Sequence, residues 1–479
     1  MSGKRLNVLI ISTNRNKYPL AVLPFGACLV AEAASAAGHD VRMLDLMFAS
    51  DPVRTVKNEL DRSRPDIIGI SIRNIDNNDL AYPINFIKET IPIIDLIRKS
   101  TDARIVLGGA ALGIMPEEIL RFTDLPLAVA GNGEKSFTEL LSRVAEGKSF
   151  DDIPGIALIK DAVFRKNSPS GKHNSICVEP DFKKWVDVKS YIAHLSSVPV
   201  QSKRGCPYKC IYCTYSISEG DNYCLFTPDS VVESVKKLVL KGINEIEFVD
   251  NVFNSPYEHA VSICEGLIKA KVKARFHTVE LNPRFVDDKL LSLMGKAGFK
   301  SIGITAESAS DIVLKNLRKD YNSEHVLAAA LAIKKNKIPC FWMFMLGGPG
   351  ETKETITETL RFAAEYIKPA DVVFFNVGIR IYPGTELEKI ARDSGLLRLT
   401  AREMLEPVSY ISPLLDTDWL TGTLKESINK HMNFMSSEAM HFKFLPLIYR
   451  LSHLLGFKAP LWRFTPYLRR CLKLTGAKI

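Results

Sequence analysis

Residues 203–214 read KRGCPYKCIYCT, and this stretch carries the strongest signal in the chain. It holds three of the nine cysteines of the 479-residue protein, Cys206, Cys210 and Cys213. Three thiolates at these spacings can surround one iron–sulfur cube, which four cysteines would close completely. With three, one iron keeps an open coordination position, and an open position is what metal-based catalysis requires. Gly205 and Pro207 suit a loop that wraps around such a group.

A zinc site is the alternative interpretation of these cysteines. Tetrahedral zinc requires a fourth Cys or His ligand. The candidates are Cys224, the next cysteine along the chain, and His277, which is distant in sequence. In a reducing compartment, an odd number of mostly isolated cysteines with one tight group favours metal ligation over disulfides.

Outward from this loop, apolar stretches of strand length alternate with helical patterns. We predict strands at 198–203, 245–249, 275–279, 301–305, 340–346 and 372–379. Six β/α units suit a partial (β/α)6 barrel of the TIM type, which we assign to residues 196–400. Residues 401–479 are expected to form a helical, basic and hydrophobic C-terminal extension.

The N-terminal part shows a second alternation of the same kind. Its apolar, β-branched runs predict strands at 6–13, 40–46, 66–72, 104–109 and 126–131. Continuous apolar strands between helices indicate a doubly wound, Rossmann-like α/β domain over residues 1–150, with ligands at the carboxyl ends of the strands. Residues 151–195 break the alternation and are interpreted as a connector. The overall fold class is therefore α/β with two successive parallel sheets.

The order of motifs resembles the radical SAM superfamily. Cys-x3-Cys-x-aromatic-Cys follows the first barrel strand, with Tyr212 as the aromatic residue. Four later turns match the family in order: FVDNVF at 248–253, ITAESAS at 304–310, LGGPGET at 346–352 and IYPGTEL at 381–387. The resemblance implies a 4Fe–4S cluster whose open iron binds S-adenosyl-L-methionine. In this family, one electron then releases a 5′-deoxyadenosyl radical that abstracts hydrogen from an unactivated carbon.

The resemblance also implies roles for individual residues. Cys206, Cys210 and Cys213 would be both the catalytic residues and the metal ligands. Further residues would contact S-adenosylmethionine and the cluster: Tyr212, Asp250, Asn251, Glu307, Ser308, Gly347, Gly348 and Gly350. The hydrogen donor or acceptor at the substrate is not identified by any motif.

An α/β domain that precedes a radical SAM barrel resembles the cobalamin-binding subfamily. The resemblance implies that a corrinoid is approached by the glycine turns at Gly108, Gly109, Gly131 and Gly133, with Glu134 beside the last of them. A side chain in place of these glycines would block the flat ring. The Asp-x-His-x-x-Gly motif, whose His ligates cobalt in many such domains, is absent, because NRNKY follows the first strand. A domain that keeps the fold without binding a corrinoid is the alternative.

The C-terminal tail is basic and apolar. Residues 441–479 carry eight Lys and Arg residues and no Asp or Glu, out of a net charge of +9 for the whole chain. This composition suits a segment that lies on a membrane surface, while a strap packed on the barrel explains it equally well. Nucleic acid is disfavoured, since no compact RNA-binding module is visible.

Location is inferred from the rest of the composition. The N-terminus MSGKRLNVLIIST lacks a signal-peptide pattern, and no run reaches the about 18–20 apolar residues of a membrane span. We therefore expect a cytoplasmic protein with peripheral membrane association as an option.

Together these features predict a cobalamin-dependent radical SAM enzyme that methylates an unactivated carbon of a small-molecule or lipid-like substrate. An external one-electron reductant of the flavodoxin or ferredoxin type would supply the electron. One alternative is a radical enzyme that cyclises, rearranges or couples its substrate without methylation. Another is a non-catalytic corrinoid-binding protein, against which the intact cysteine triad argues.

Overall fold

Two parallel sheets of seven strands each follow one another along the chain. They belong to a computed structural model that describes residues 4–168, 177–441 and 444–474. The predicted fold class, an N-terminal Rossmann-like domain followed by a radical SAM type barrel, is confirmed. The domain boundaries at residues 150, 195 and 400 stay predictions.

The first sheet has the strand order β2-β1-β3-β4-β5-β6-β7. Its first five strands are parallel, and all of them except the edge strand β2 are mostly buried, as expected when helices cover both faces. The order reverses between β1 and β3, and such a switch point forms a ligand crevice at the carboxyl edge. The strands are β1 (Asn7–Ser12), β2 (Asp40–Asp45), β3 (Ile67–Ser71), β4 (Arg104–Gly108), β5 (Leu127–Val129), β6 (Ile156–Lys160) and β7 (Val163–Lys166).

Six helices cover this sheet, and apolar side chains from opposite faces of the sheet enter two separate core clusters. Asp51 caps the second helix through the backbone N–H of Arg54, and Asn85 caps the third through Ile87 and Lys88. The helices are α1 (Phe25–Ala36), α2 (Pro52–Ser63), α3 (Phe86–Ser100), α4 (Ala110–Ile114), α5 (Pro116–Thr123) and α6 (Gly133–Ala145).

The predicted connector contains structure that the sequence interpretation missed. Strands β6 and β7 form a hairpin that extends the first sheet in antiparallel fashion. Asp161 and Ala162 both have positive φ, which is the backbone of a tight two-residue hairpin turn. Two short helices follow, α7 (Phe182–Trp185) and α8 (Val188–Ala193). Residues 169–176 of the predicted connector lie outside the described residues.

The second sheet is wholly parallel, with the order β18-β15-β14-β13-β12-β11-β8. All six predicted barrel strands are present. A seventh, β18, comes from the extension that was predicted to be helical. The strands of this half are β8 (Val198–Val200), β9 (Lys203–Arg204), β10 (Cys224–Leu225), β11 (Glu245–Phe248), β12 (Arg275–His277), β13 (Phe299–Glu307), β14 (Cys340–Leu346), β15 (Val372–Val377), β16 (Ile379–Arg380), β17 (Ser409–Tyr410) and β18 (Phe434–Ser436).

Helices between these strands bury one apolar face against the sheet, from Val231 in the first long helix to Ile356 in the last. The helices of this half are α9 (Tyr215–Ser218), α10 (Pro228–Leu240), α11 (Tyr257–Lys269), α12 (Asp288–Ala297), α13 (Asp311–Asn316), α14 (Ser323–Lys335), α15 (Lys353–Tyr366), α16 (Glu386–Asp393), α17 (Thr417–Lys430), α18 (Leu445–Leu454) and α19 (Thr465–Leu474).

The C-terminal extension packs as a strap on the rest of the molecule. Tyr449 and Leu461 form a small core cluster with Leu195. Trp462 meets Phe341 at the start of β14, with ring centroids 5.3 Å apart. Residues 442–443 and 475–479 of the predicted basic tail lie outside the described residues. In the described ranges, no helix is long and apolar enough to cross a membrane.

Candidate functional site

A cavity of about 1000 Å³ lies where the carboxyl ends of the two sheets face each other. The N-terminal domain contributes Ser12 and Gly108 from the ends of β1 and β4. The barrel contributes Tyr212 and Cys213 from the cysteine loop, and Met345 from β14. Both predicted ligand edges therefore open into the same space.

The cysteine loop is held in a tight curve. Gly205 has a φ of +78°, and a Cβ there would collide with the carbonyl of Asn222. The backbone N–H of Cys206 donates to the Gly220 carbonyl at 3.0 Å, and that of Cys213 donates to the Cys210 carbonyl at 3.2 Å. The loop thus bends all three cysteines toward one another.

The electrostatics of the thiols agree with this proximity. Burial raises the pKa of the Cys213 thiol to about 12, and the nearby Cys210 and Cys206 thiols add to the rise. Burial likewise raises the pKa of Cys206. Within the described ranges, no group of three or more His, Cys, Asp or Glu side chains is arranged to hold a single metal ion. This finding includes the three cysteines, so the zinc alternative stays open at this point.

A buried polar network lies behind the cysteine loop. The Tyr212 hydroxyl donates to Glu307 Oε1 at 2.6 Å, and Lys319 Nζ lies 3.1 Å from both of these oxygens. Glu307 has a φ of +60°, a strained conformation for this residue type. Its second oxygen, Oε2, is buried without a hydrogen-bond partner. The network thus has one unsatisfied acceptor next to the cysteines.

Neighbouring groups determine the protonation state of Lys319 in this network. Burial alone lowers the pKa of Lys319, but the Glu307 carboxylate and the Tyr212 hydroxyl raise it well above its usual value. Lys319 is therefore a cation at neutral pH, and the Cys210 thiol is among the groups that raise its pKa. Sequence reasoning missed Lys319. Its sequence signal is weak, a basic residue twelve positions after Glu307 in an ordinary loop.

Glycine backbone forms the opposite wall of the cavity. A Cβ at Gly26 or Gly108 would meet nothing within 4 Å, so both positions face open space. Gly109 and Gly131 have φ values of +94° and +102°, which side chains rarely adopt. All four residues, with the predicted Gly133 and Glu134, line the cavity.

An ion pair joins the two walls, and hydrogen bonds link the barrel side of the cavity to the cysteine loop. Arg204, next to the cysteine loop, donates to Glu134 Oε1 of the N-terminal domain at 2.5 Å. Glu219 accepts from the side-chain amide of Asn251 at 3.1 Å and from the Gly205 N–H at 3.4 Å. Burial raises the pKa of Glu219. Asn251 thus lies at the cavity, as predicted, and is linked to the cysteine loop through Glu219.

Two of the predicted contact residues are turned away from the cavity. Asp250 is buried, and its carboxylate accepts from the N–H of Ser202 at 2.7 Å and of Lys203 at 3.1 Å. The Ser308 hydroxyl lies 3.1 Å from that of Thr359 in the interior. These contacts position the ends of β8 and β13, and the predicted cofactor contacts of both residues stay predictions.

The glycine turn after β14 also closes on itself. The N–H groups of Gly347 and Gly348 both donate to Oε2 of Glu351. A Cβ at Gly350 would collide with the side chain of Asn316. The turn satisfies its own backbone donors, and the predicted contact with adenine stays a prediction.

Other residues at the cavity were not singled out by the motifs. Arg73 follows β3, and burial lowers its pKa. His441, from the C-terminal strap, bonds Asp79 Oδ2 at 3.0 Å. Arg380 and Tyr382, which follow β15, also line the cavity. Cys340 is buried at the end of β14 that lies away from it.

Two comparisons with known families bear on this cavity. The Radical SAM superfamily model matches residues 200–363, and the B12 binding domain model matches residues 11–141. The first match contains the cysteine loop and the second contains the glycine wall. The chain therefore carries both a Radical SAM domain and a B12 binding domain. These two domains imply a 4Fe–4S cluster, S-adenosylmethionine and cobalamin as cofactors.

Curated relatives and solved structures are similar to this chain over most of its length. An uncharacterized methyltransferase of Pyrococcus horikoshii is 26% identical over 75% of this chain and 76% of its own length. Tryptophan 2-C-methyltransferase of Streptomyces laurentii is 23% identical over 80% of this chain and 74% of its own. The structure of the radical S-adenosylmethionine methyltransferase TsrM from Kitasatospora setae, with cobalamin and a [4Fe-4S] cluster bound, superposes with a TM-score of 0.86. It is 21% identical and covers 98% of this chain and 100% of its own. At 21% identity, this similarity supports the assignment of the fold.

Proposed function

We propose that this radical SAM protein is a cobalamin-dependent methyltransferase that acts on an unactivated carbon of a small-molecule substrate. One observation carries the proposal. The cysteine loop and the glycine wall open into the same cavity, so a substrate carbon there would be accessible to both cofactors. The methyltransferase names of two relatives support methyl transfer.

The barrel wall fits a cluster and S-adenosylmethionine. Cys206, Cys210 and Cys213 would ligate three irons, because their thiols are unpaired and close together. The free Oε2 of Glu307 would accept a hydrogen bond from the methionyl amino group, and Lys319 would hold Glu307 in place. When bound, these cofactors supply reductive cleavage of a sulfonium bond and hydrogen abstraction.

The glycine wall fits a flat macrocycle. At Gly26 and Gly108 there is open space where a Cβ would stand, and this is the clearance that close approach of a ring requires. When bound, the corrinoid supplies a methyl carrier. The chain holds the wall rigid through the Glu134–Arg204 pair, which ties the α6 end to the cysteine loop.

The remaining wall suggests the substrate class. Met343 and Met345 of β14 and Phe374 of β15 give the barrel side an apolar surface. We propose a small, partly apolar molecule, with lipid-like compounds included. The proposed partners are this substrate, a one-electron reductant of the flavodoxin or ferredoxin type, and a membrane surface contacted through residues 441–479.

Anaerobic reconstitution with iron, sulfide and methylcobalamin tests the function. The protein is supplied with reductant, candidate substrates and S-adenosylmethionine carrying a labelled methyl group. We expect release of 5′-deoxyadenosine and a labelled product whose formation requires methylcobalamin. Release of 5′-deoxyadenosine with an unmethylated product would favour the cyclising or coupling alternative. If neither product forms with any substrate, while both cofactors are bound, the enzymatic proposal fails.

A further inference from the structure

Helix α18 of the C-terminal strap presents an apolar face to solvent. Leu447, Leu451, Leu454 and Leu455 are 51, 47, 71 and 75% exposed. At about 3.6 residues per turn they fall within an arc of roughly 100°. We call these four side chains the leucine stripe. Isolated exposed leucines are ordinary on protein surfaces, but four contiguous ones on a single helical face mark an interaction site.

The opposite face of the same helix is already packed. Tyr449 and Ser452 are buried, and Leu445 and Ile448 contact the small core cluster around Leu195. The helix is therefore fixed by its inner face, and the stripe is its outer one. Rotation to bury the stripe would expose Tyr449 and break its hydrogen bond to the Pro19 carbonyl.

Cationic side chains flank the stripe. Arg450 lies beside it on α18, and Lys458 follows the helix; both are exposed. Over residues 441–479 the sequence contains eight Lys and Arg residues and no acidic residue. An apolar stripe with cations beside it matches the interface of an anionic bilayer, where leucines enter the acyl boundary and cations meet headgroups.

We propose that the leucine stripe docks this protein on an anionic lipid bilayer. A second copy of the chain is the other candidate occupant. In a twofold dimer through this face, Arg450 and Lys458 of one copy would meet the same cations of the other. This repulsion between like charges disfavours the dimer, whereas a negatively charged membrane surface attracts the same residues.

Docking would bring the cavity close to the bilayer. On its inner side α18 contacts Tyr18, whose ring centroid lies 5.3 Å from that of Tyr449. Tyr18, Pro19 and His441 also line the cavity. An apolar substrate dissolved in the membrane would then enter from the side of the strap. The docking itself does not depend on the proposed methyl transfer, so either can fail without the other.

Vesicle flotation of the reconstituted full-length protein tests the proposal. The vesicles are phosphatidylcholine alone, or phosphatidylcholine mixed with phosphatidylglycerol. We expect binding to the mixed vesicles that weakens with salt, and little binding to phosphatidylcholine alone. The L451Q/L454Q/L455Q variant should bind about tenfold more weakly or worse. R450Q/K458Q should lose the preference for phosphatidylglycerol.

A matched control separates the stripe from general hydrophobicity. The L240Q/L396Q/L414Q variant replaces three other exposed leucines and should bind like the parent. Thermal melting checks that every variant is folded. The proposal is wrong if the parent does not float with mixed vesicles at low salt, or if the stripe variant floats as well as the parent. It is also wrong if the stripe variant instead abolishes a concentration-dependent dimer, which would make a second copy the occupant.

Discussion

The N-terminal wall of the cavity includes bare glycine backbone, whereas the barrel wall includes sulfur-bearing side chains in front of a buried ionic network. Gly26 and Gly108 leave open space above their Cα atoms. Behind the barrel wall, Tyr212, Glu307 and Lys319 form the network beside the cysteines. Bare glycine backbone suits a large flat ligand, and fixed charges suit a small zwitterionic one.

This contrast implies that the two walls bind separate cofactors and can be disabled separately. The glycine turn at 346–352 differs from the glycine wall in its surroundings. Its glycines resemble those of the N-terminal wall in sequence, yet Glu351 occupies their N–H groups and no open space faces them. A glycine motif alone therefore does not indicate a ligand site. Open space at the position where a Cβ would stand does indicate one.

The largest effect is expected at the cysteine loop. Cys213→Ala removes one of the three proposed iron ligands, so the 4Fe–4S absorbance and all turnover should be lost. Corrinoid binding should persist, because the glycine wall is unchanged. Iron analysis and visible spectra measure both. Cys224→Ala is the control and should keep the cluster. Loss of bound metal in that variant would instead favour a four-ligand zinc site.

Gly108→Leu should weaken corrinoid binding at the glycine wall. Its side chain would project into the space proposed for the corrin ring, and corrinoid affinity should fall about tenfold or more, while the cluster stays intact. Equilibrium dialysis with cobalamin gives the affinity. Gly422→Leu, on the exposed face of α17, adds the same side chain where nothing lies within 4 Å and should leave both cofactors bound. Equal losses in the two variants would contradict the assignment.

Removal of the buried cation should weaken both folding and cofactor binding. In Lys319→Met, the Glu307 carboxyl loses its buried partner, and breaking a buried pair costs about 3–5 kcal/mol of unfolding free energy. Side-chain exposures of 8% and 5% place this pair in that class. S-adenosylmethionine affinity, measured by calorimetry, should fall as well. Lys335→Met breaks an exposed pair with Asp288 and should change stability by about 0.5 kcal/mol or less.

The smallest effect is a pH dependence at the closed glycine turn. Burial raises the pKa of Glu351 to about 7 from 4.5, so the folded state binds the proton more tightly than the unfolded chain. The stability of the parent therefore falls as pH rises through this window, and the loss is complete above about pH 7. Glu351→Gln does not ionise. Its melting temperature relative to the parent should be a few degrees higher near pH 8 than near pH 5.

The control for this pH dependence lies in the next helix. Glu354 is fully exposed and carries a lowered pKa, caused mainly by its contact with Thr352. Glu354→Gln should therefore not reproduce the trend. A Glu351→Gln variant whose relative melting temperature is the same at both pH values would argue against a neutral carboxyl in the closed turn.

Local sequence patterns were sufficient to predict much of the fold. The apolar runs of β1 to β5 and the six barrel strands are readable over short windows, and each was predicted correctly in kind. The cysteine spacing is equally local, and the ligand role of these cysteines stays a prediction. Strand β18 was missed because Phe434–Ser436 is only three residues long and sits between helical patterns. The hairpin β6–β7 was missed because Pro and Gly residues around it suggested a connector.

Contacts between distant segments could not be predicted. His441 reaches Asp79 across 362 residues, and Glu134 reaches Arg204 across 70. Neither pair carries a local signal, because a charged residue in a loop is usually solvated. Motif resemblance also gave no means to separate Asn251, which lines the cavity, from Asp250, which supports the backbone. Only the packing of neighbouring strand ends distinguishes these two roles.

The central claim, that a cluster and a corrinoid occupy one cavity, is tested most directly by electron paramagnetic resonance of the reconstituted protein with cob(II)alamin. We predict that metal analysis finds about four irons and one cobalt per chain. We also predict that addition of S-adenosylmethionine changes the cob(II)alamin spectrum in the parent and leaves it unchanged in Cys213→Ala. A cobalt spectrum that does not respond in the parent, or a chain that retains no cobalamin, would contradict the claim.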